Sequence, residues 1–244
     1  RGESSKSLQE RDPFRKPGLF DDIEDSRRGP SFQVKHIENG RFISRFKSGV
    51  KTAYTIRPDL QQTMEQFLKR NRVPYGVFIA MNPNTGKILA MVEHSSREPR
   101  AKNLALRATY PAASIFKLIT ASAVIEEKGV SPGTLIVNYN RFNPIQTTLE
   151  RAFAASDNEA FGEVALHYLN MRTLIKYATR FQFDRVIPFE LPVQVSRVKV
   201  KQDKSKALLA RLAAGFEDVG LSPLHAALIG SAIANGGSMM KPCL

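Results

Sequence analysis

The sequence predicts an α/β fold of the α+β type, with a central, mainly antiparallel sheet flanked by helices on both faces and an all-helical lobe beside it. Three observations carry that prediction. Two apolar runs at residues 75–81 and 87–93 flank Asn82-Pro-Asn-Thr-Gly86, the pattern of a hairpin inside a sheet. A long apolar helix follows Ser114, with Ile115, Phe116, Leu118, Ile119, Ala123, Val124 and Ile125 on most of its surface, so it must be largely buried. Alanine-rich helical segments then surround Ser156 and supply the helical lobe.

Taken in order, residues 1–30 are rich in Arg, Asp, Glu, Ser, Gly and Pro and read as a flexible arm or linker, because too little apolar surface is present to offset ordering entropy. Residues 31–57 alternate Phe32, Val34, Ile37, Phe42, Phe46 and Val50 around Asn39-Gly40, which predicts short strands with a hairpin turn leading into the domain. The domain itself occupies residues 58–244. It opens on a helix over residues 58–72, where Leu60, Met64, Phe67 and Leu68 fall at helical spacing. After the hairpin and the Ser114 helix, Pro132-Gly133 breaks the chain. A helical stretch leads to Ser156-Asp157-Asn158, and a further helix runs to about Asn170. Ser222-Pro223 starts a last long helix that Asn235-Gly236-Gly237 stops. No internal repeat is present.

The 36 Lys and Arg against 23 Asp and Glu give the 244-residue chain a net charge of +13, which favours polyanionic surroundings. Zinc-finger spacing, an RNP-type aromatic run and a densely basic helix are all missing, so nucleic acid is not the expected partner. The single cysteine, Cys243, excludes an internal disulfide, and His36, His94, His167 and His225 lack metal-ligand spacing and read as packing or surface residues. No cofactor or metal is called for. No stretch of eighteen apolar residues occurs. The chain begins Arg1-Gly-Glu rather than with Met, so a fragment is expected, with any leader or anchor removed.

Ser114 and Lys117 stand at i and i+3 on one helix face, close enough to touch. A serine hydroxyl attacks poorly unless an adjacent base takes its proton, and a lysine can be that base when burial lowers its pKa. The competing reading is ordinary helix capping, since Ser is a preferred N-cap and Pro111 lies just upstream. Ser156 offers the same choice, because Glu159 three residues on completes a capping box.

Taken together, the two motifs are far more specific. Ser-x-x-Lys on a buried helix, followed some forty residues later by Ser-x-Asn in an inter-helix loop, resembles the active-serine penicillin-recognising enzymes. From about Thr52 onward the chain is similar to the transpeptidase domain of penicillin-binding proteins, through the segment beginning Ala53-Tyr-Thr-Ile-Arg57, the hairpin, and residues 220–237. The resemblance implies a β-lactamase/transpeptidase-like fold and a peptidoglycan D,D-transpeptidase that is acylated by β-lactams. In its terms Ser114 attacks a D-alanyl carbonyl in a stem peptide, Lys117 takes the proton, and Ser156 relays a proton to the departing amine. Asn158 then holds substrate and lysine, and the Ser114 N–H forms half of an oxyanion hole, a donor worth about 3 kcal/mol. It implies stem peptides and β-lactams as ligands, cell-wall or division proteins as partners, and a periplasmic or other extracytoplasmic place, anchored to the cytoplasmic membrane through a segment absent from this chain.

The family's third motif, Lys-Thr/Ser-Gly, does not occur after the Ser222-Pro223 helix, because the chain stops at Pro242-Cys-Leu244. The expectation is therefore a chain truncated before its last strands, a poor catalyst by itself, with an exposed sheet edge. Gly215-Phe-Glu217 also departs from the Gly-x-Gly turn often found in relatives. Three rivals follow. A serine β-lactamase or D,D-carboxypeptidase would use the same nucleophile, with Glu190 as the hydrolase's candidate base. A catalytically silent scaffold in cell-wall assembly would fit a missing third motif, and a basic module for anionic polymers would fit the charge.

Overall fold

A computed structural model describes residues 36–45, 51–138, 145–199, 205–216 and 219–244. The arm over residues 1–30 lies outside these, as do Phe32, Val34, Phe46 and Val50 of the first strand assignment and Glu217 of the turn after Gly215.

Strands β1 (Ile37–Glu38), β2 (Arg41–Arg45) and β3 (Lys51–Ala53) form an antiparallel sheet. Asn39 and Gly40 turn between the first two with φ of 51° and 70°, the positive pair that a primed hairpin turn requires. Helix α1 (Pro58–Arg70) carries Pro at its first position, where the missing N–H costs nothing. Strands β4 (Gly76–Met81) and β5 (Ile88–His94) are the expected hairpin, in register through Phe78 and Val92. In its connection, Asn82 Oδ1 accepts the backbone N–H groups of Asn84 and Thr85 at 3.0 and 3.1 Å.

Strand β6 (Tyr110–Pro111) enters a 3-10 turn (Ala113–Ile115) that continues as helix α2 (Phe116–Lys128), which Gly129 closes in the left-handed conformation. A hairpin of β7 (Leu135–Asn138) and β8 (Ile145–Thr148) precedes helices α3 (Leu149–Ala154), α4 (Asn158–Tyr168) and α5 (Met171–Arg180). Strand β9 (Arg197–Val198), helix α6 (Lys206–Ala214), strand β10 (Val219–Leu221) and helix α7 (Pro223–Ala234) complete the order. Side chains of Thr148, Asp157, Asn170, Ser205 and Ser222 cap five of these helices, each contact contributing about 1 kcal/mol.

Helix α2 is the axis of the core. One side packs Phe116, Ile119 and Ala123 against Leu174, Tyr177 and Ala178 of α5, Leu212 and Ala213 of α6, and Ile229 of α7. The other side sets Val124 against Leu149, Ala160, Phe161 and Val164 of the α3–α4 lobe. Helices and antiparallel strands are mixed as expected, and among the described residues the strands form four separate sheets of two or three strands each. On the outer edge of β5 other elements take the backbone bonds. Buried Gln61 of α1 receives the Met91 N–H on Oε1 and donates Nε2–H to the Met91 carbonyl, at 2.9 and 3.0 Å, where a neighbouring strand would otherwise bond. The Arg57 N–H takes the Leu89 carbonyl on the same edge, and Cys243 bridges to Lys87 at its start.

Candidate active site

The site is assembled by three segments. Strand β6 fixes the approach to Ser114: it pairs with β10, and Ala112 N–H donates to the Val219 carbonyl at 2.8 Å. Ala113 then takes a φ of +45°, and the 3-10 turn closes through Ile115 N–H to the Ala112 carbonyl at 3.1 Å. Ser114 is exposed and does not cap α2, whose first turn has no side-chain cap. Its hydroxyl is therefore available for other bonds.

Lys117, one turn along the same face, is 1% exposed. Its Nζ lies 3.0 Å from Ser114 Oγ, 3.0 Å from both Oγ and the carbonyl of Ser156, and 2.6 Å from Asn158 Oδ1. Ser156 Oγ lies 2.9 Å from Ser114 Oγ, so the three groups close a triangle. The ring of Phe161 sits 5.9 Å below the nitrogen. Burial pushes the Lys117 ammonium below the ordinary lysine value, and the Asp157 carboxylate opposes this only in part.

The loop between α3 and α4 brings the partners in. Ser156 is held at φ +52°, with its N–H on the Phe153 carbonyl and the Asp157 N–H on the Ala152 carbonyl. Asp157, not Ser156, caps α4, accepting Ala160 N–H at 3.0 Å. The capping-box reading of Ser156 with Glu159 is thus replaced by a division of tasks within one tripeptide. Asp157 satisfies the helix end, while Ser156 and Asn158 on either side turn toward Lys117.

Proton bookkeeping at Nζ follows from this set. The Ser156 carbonyl and Asn158 Oδ1 only accept, so they take the two N–H bonds of a neutral amine. The lone pair of such a neutral amine would then face the hydroxyls of Ser114 and Ser156, 3.0 Å away. An ammonium would instead place its third hydrogen on a hydroxyl oxygen and have no capacity to receive a serine proton. The arrangement can therefore deprotonate Ser114 and pass a proton to or from Ser156.

All four residues singled out in the sequence, Ser114, Lys117, Ser156 and Asn158, meet within hydrogen-bonding distance. Phe161 and the Ser156 carbonyl escaped the sequence reading; the spacing of Phe161 on α4 relative to Asn158 was the available signal. Glu190 belongs to a segment that packs beside the β4–β5 hairpin, and no hydrogen bond among the described residues links it to the Ser114 cluster. His225 is fully buried, its Nε2 2.6 Å from the Phe181 carbonyl and its ring against Phe183, and burial pushes its pKa down. Among the described residues no three His, Cys, Asp or Glu side chains are grouped to hold a metal ion, and no helix is long and apolar enough to cross a membrane.

Fold and site together define an α+β domain that joins a Ser-x-x-Lys helix to a Ser-x-Asn loop around one buried amine. The chain belongs to the penicillin binding protein transpeptidase domain family, whose sequence pattern matches residues 76–244. It is 29% identical to the peptidoglycan D,D-transpeptidase PbpA of Mycolicibacterium smegmatis, over 83% of this chain and 50% of that protein. It is 27% identical to penicillin-binding protein 3 of Bacillus subtilis, over 93% of this chain and 39% of that one. The structure superimposes with a TM-score of 0.66 on penicillin-binding protein A of Mycobacterium tuberculosis in its penicillin G acyl-enzyme complex. There the identity is 26%, covering 78% of this chain and 53% of that one. The chain thus spans about half the length of its mycobacterial relatives.

Proposed function

We propose that this chain carries the acyl-transfer site of an extracytoplasmic, serine-type peptidoglycan D,D-transpeptidase, with residues 58–244 as its catalytic domain and residues 31–57 leading into it. The observation that supports this reading best is the buried Lys117 amine held between the Ser114 and Ser156 hydroxyls. Family membership supports the substrate class: a stem peptide ending in D-alanyl-D-alanine, or a β-lactam that resembles it.

In this reading Ser114 Oγ bonds to the carbonyl carbon of the penultimate D-alanine as its proton passes to Lys117 Nζ. The tetrahedral oxyanion accepts the Ser114 N–H. The carbon–nitrogen bond to the last D-alanine breaks, and the proton returns through Ser156 to the leaving amine, freeing D-alanine and leaving an ester on Ser114. An amine from a second stem peptide then attacks that ester with the same groups working in reverse. With a β-lactam the ring amide opens instead, and the leaving nitrogen stays tethered.

The test is covalent labelling of the native protein by a fluorescent penicillin, with the modified residue located by peptide mass spectrometry. The label is expected on Ser114 and absent from Ser114→Ala. Label retained by that variant would overturn the assignment.

A further inference from the structure

Gly215, which no part of the proposed chemistry uses, touches the backbone beside Ser114. It ends α6 in the left-handed conformation with φ +89°. A Cβ built on it would lie 2.0 Å from the Ala113 carbonyl oxygen, 2.5 Å from its carbon and 3.2 Å from Cα. Those are backbone atoms, so no rotamer change relieves the overlap. Only glycine meets both requirements, the positive φ and the approach.

The contact matters through peptide geometry. The Ala113 carbonyl and the Ser114 N–H belong to one planar trans peptide, in which C=O and N–H point in opposite directions. Whatever fixes that carbonyl therefore fixes the direction of the Ser114 N–H. Around this plane the chain is tied down on both sides. Ala112 N–H is bonded to Val219 of β10, and the fully buried Thr120 hydroxyl of α2 donates to the Ala213 carbonyl of α6 at 2.9 Å, two residues before Gly215. Ala113 itself holds a φ of +45°, a conformation unfavourable for an alanine, so the turn relaxes unless its surroundings oppose it.

We infer that Gly215 is a positioning residue for acyl transfer: the glycine surface at the end of α6 seats the Ala113 carbonyl and so aims the Ser114 N–H at the developing oxyanion. This rests on Ser114 being the nucleophile. A side chain at position 215 would push the peptide plane aside and misaim the donor without touching substrate, Lys117, Ser156 or Asn158.

The experiment measures penicillin acylation of the native protein by stopped flow, separating the initial binding constant from the rate of the acylation step, alongside thermal melting. In Gly215→Ala the acylation step is expected to slow about 100-fold, the scale of an ångström-sized misplacement, with binding changed less than about threefold. The double variant Gly215→Ala/Ala113→Gly gives the turn a residue that tolerates displacement. Its melting temperature is expected to recover while acylation stays slow. Acylation restored together with stability would show a purely structural role and overturn the inference, as would an unchanged acylation step in Gly215→Ala. Failure of the underlying reading is separately visible, as label on the wild-type protein at a residue other than Ser114.

Discussion

The two ends of helix α2 hold charged side chains under opposite rules. At its start Lys117 is buried among neutral oxygens, and burial lowers its pKa with only Asp157 in opposition. At its end Glu126 and Glu127 are solvated and paired: Arg180 and the Tyr177 hydroxyl bond to Glu126, Lys176 bonds to Glu127 at 2.7 Å, and both carboxyls are held below their ordinary value. The Tyr177 phenol, partly desolvated beside Glu126, is pushed up to about 12. One helix thus depresses an amine's pKa by withholding a counter-charge and holds stable ions by supplying one. Desolvation wins at the first end because hydroxyl and amide dipoles compensate an ammonium less than water does. Pairing wins at the second because water remains to solvate the ions.

The strongest break in this contrast is to remove the amine. Lys117→Ala is expected to lower the acylation rate about 100- to 10,000-fold, the range for loss of a positioned general base, with penicillin still bound non-covalently. In the wild-type protein the same assignment sets the pH dependence. Acylation needs the neutral amine, so its rate rises with pH through the depressed Lys117 pKa and levels off below the pH at which an exposed lysine would titrate. A rate that rises with pH nowhere in the range over which the protein stays folded, with the label still on Ser114, would exclude Lys117 as the base.

Giving the buried end what the exposed end has is a sharper test. Asn158→Asp is nearly isosteric and puts a carboxylate where Oδ1 now lies 2.6 Å from Nζ. An opposite charge at that distance favours the ammonium, so the Lys117 pKa rises. Acylation at neutral pH is expected to fall by up to about 100-fold, because more of the amine is then protonated. Most of the loss should be recovered at alkaline pH, the acidic limb having moved upward. A rate depressed equally at every pH would mean that Asn158 acts on substrate alone.

How much of this was legible in the sequence depended on distance along the chain. Ser114 and Lys117 could be paired from helical periodicity, because i and i+3 meet wherever the helix forms. Ser156 and Asn158 could not be brought to them by any local rule, and only the family resemblance joined the motifs. Ser156 and Asp157 are both good caps by type, and tertiary geometry decides between them: Ser156 sits at positive φ and Asp157 accepts the Ala160 N–H. Helix α5 was missed although Leu174, Tyr177 and Ala178 have amphipathic spacing, and α6 although Ser205 and Gly215 bracket it. Gln61 covering a strand edge and Gly215 lying against the Ala113 carbonyl are contacts between segments distant in the chain, which no local sequence pattern pairs.

The smallest expected effect lies at the paired end. Arg180 is half exposed, bonded to Glu126 and laid over the Tyr177 ring at 4.6 Å. Arg180→Ala is expected to cost about 0.2–1 kcal/mol in urea unfolding, less in high salt, because water replaces most of what the guanidinium gives. The pH dependence has a definite sign. The Glu126 pKa is lowered by folding, so its contribution is present above the unfolded carboxyl value and lost as pH falls through the folded one. Without Arg180 that acid-side loss should shrink, while penicillin acylation stays at the wild-type rate. A variant that also acylates slowly would show that the two ends of α2 are mechanically coupled, and the contrast between them would then reach beyond electrostatics.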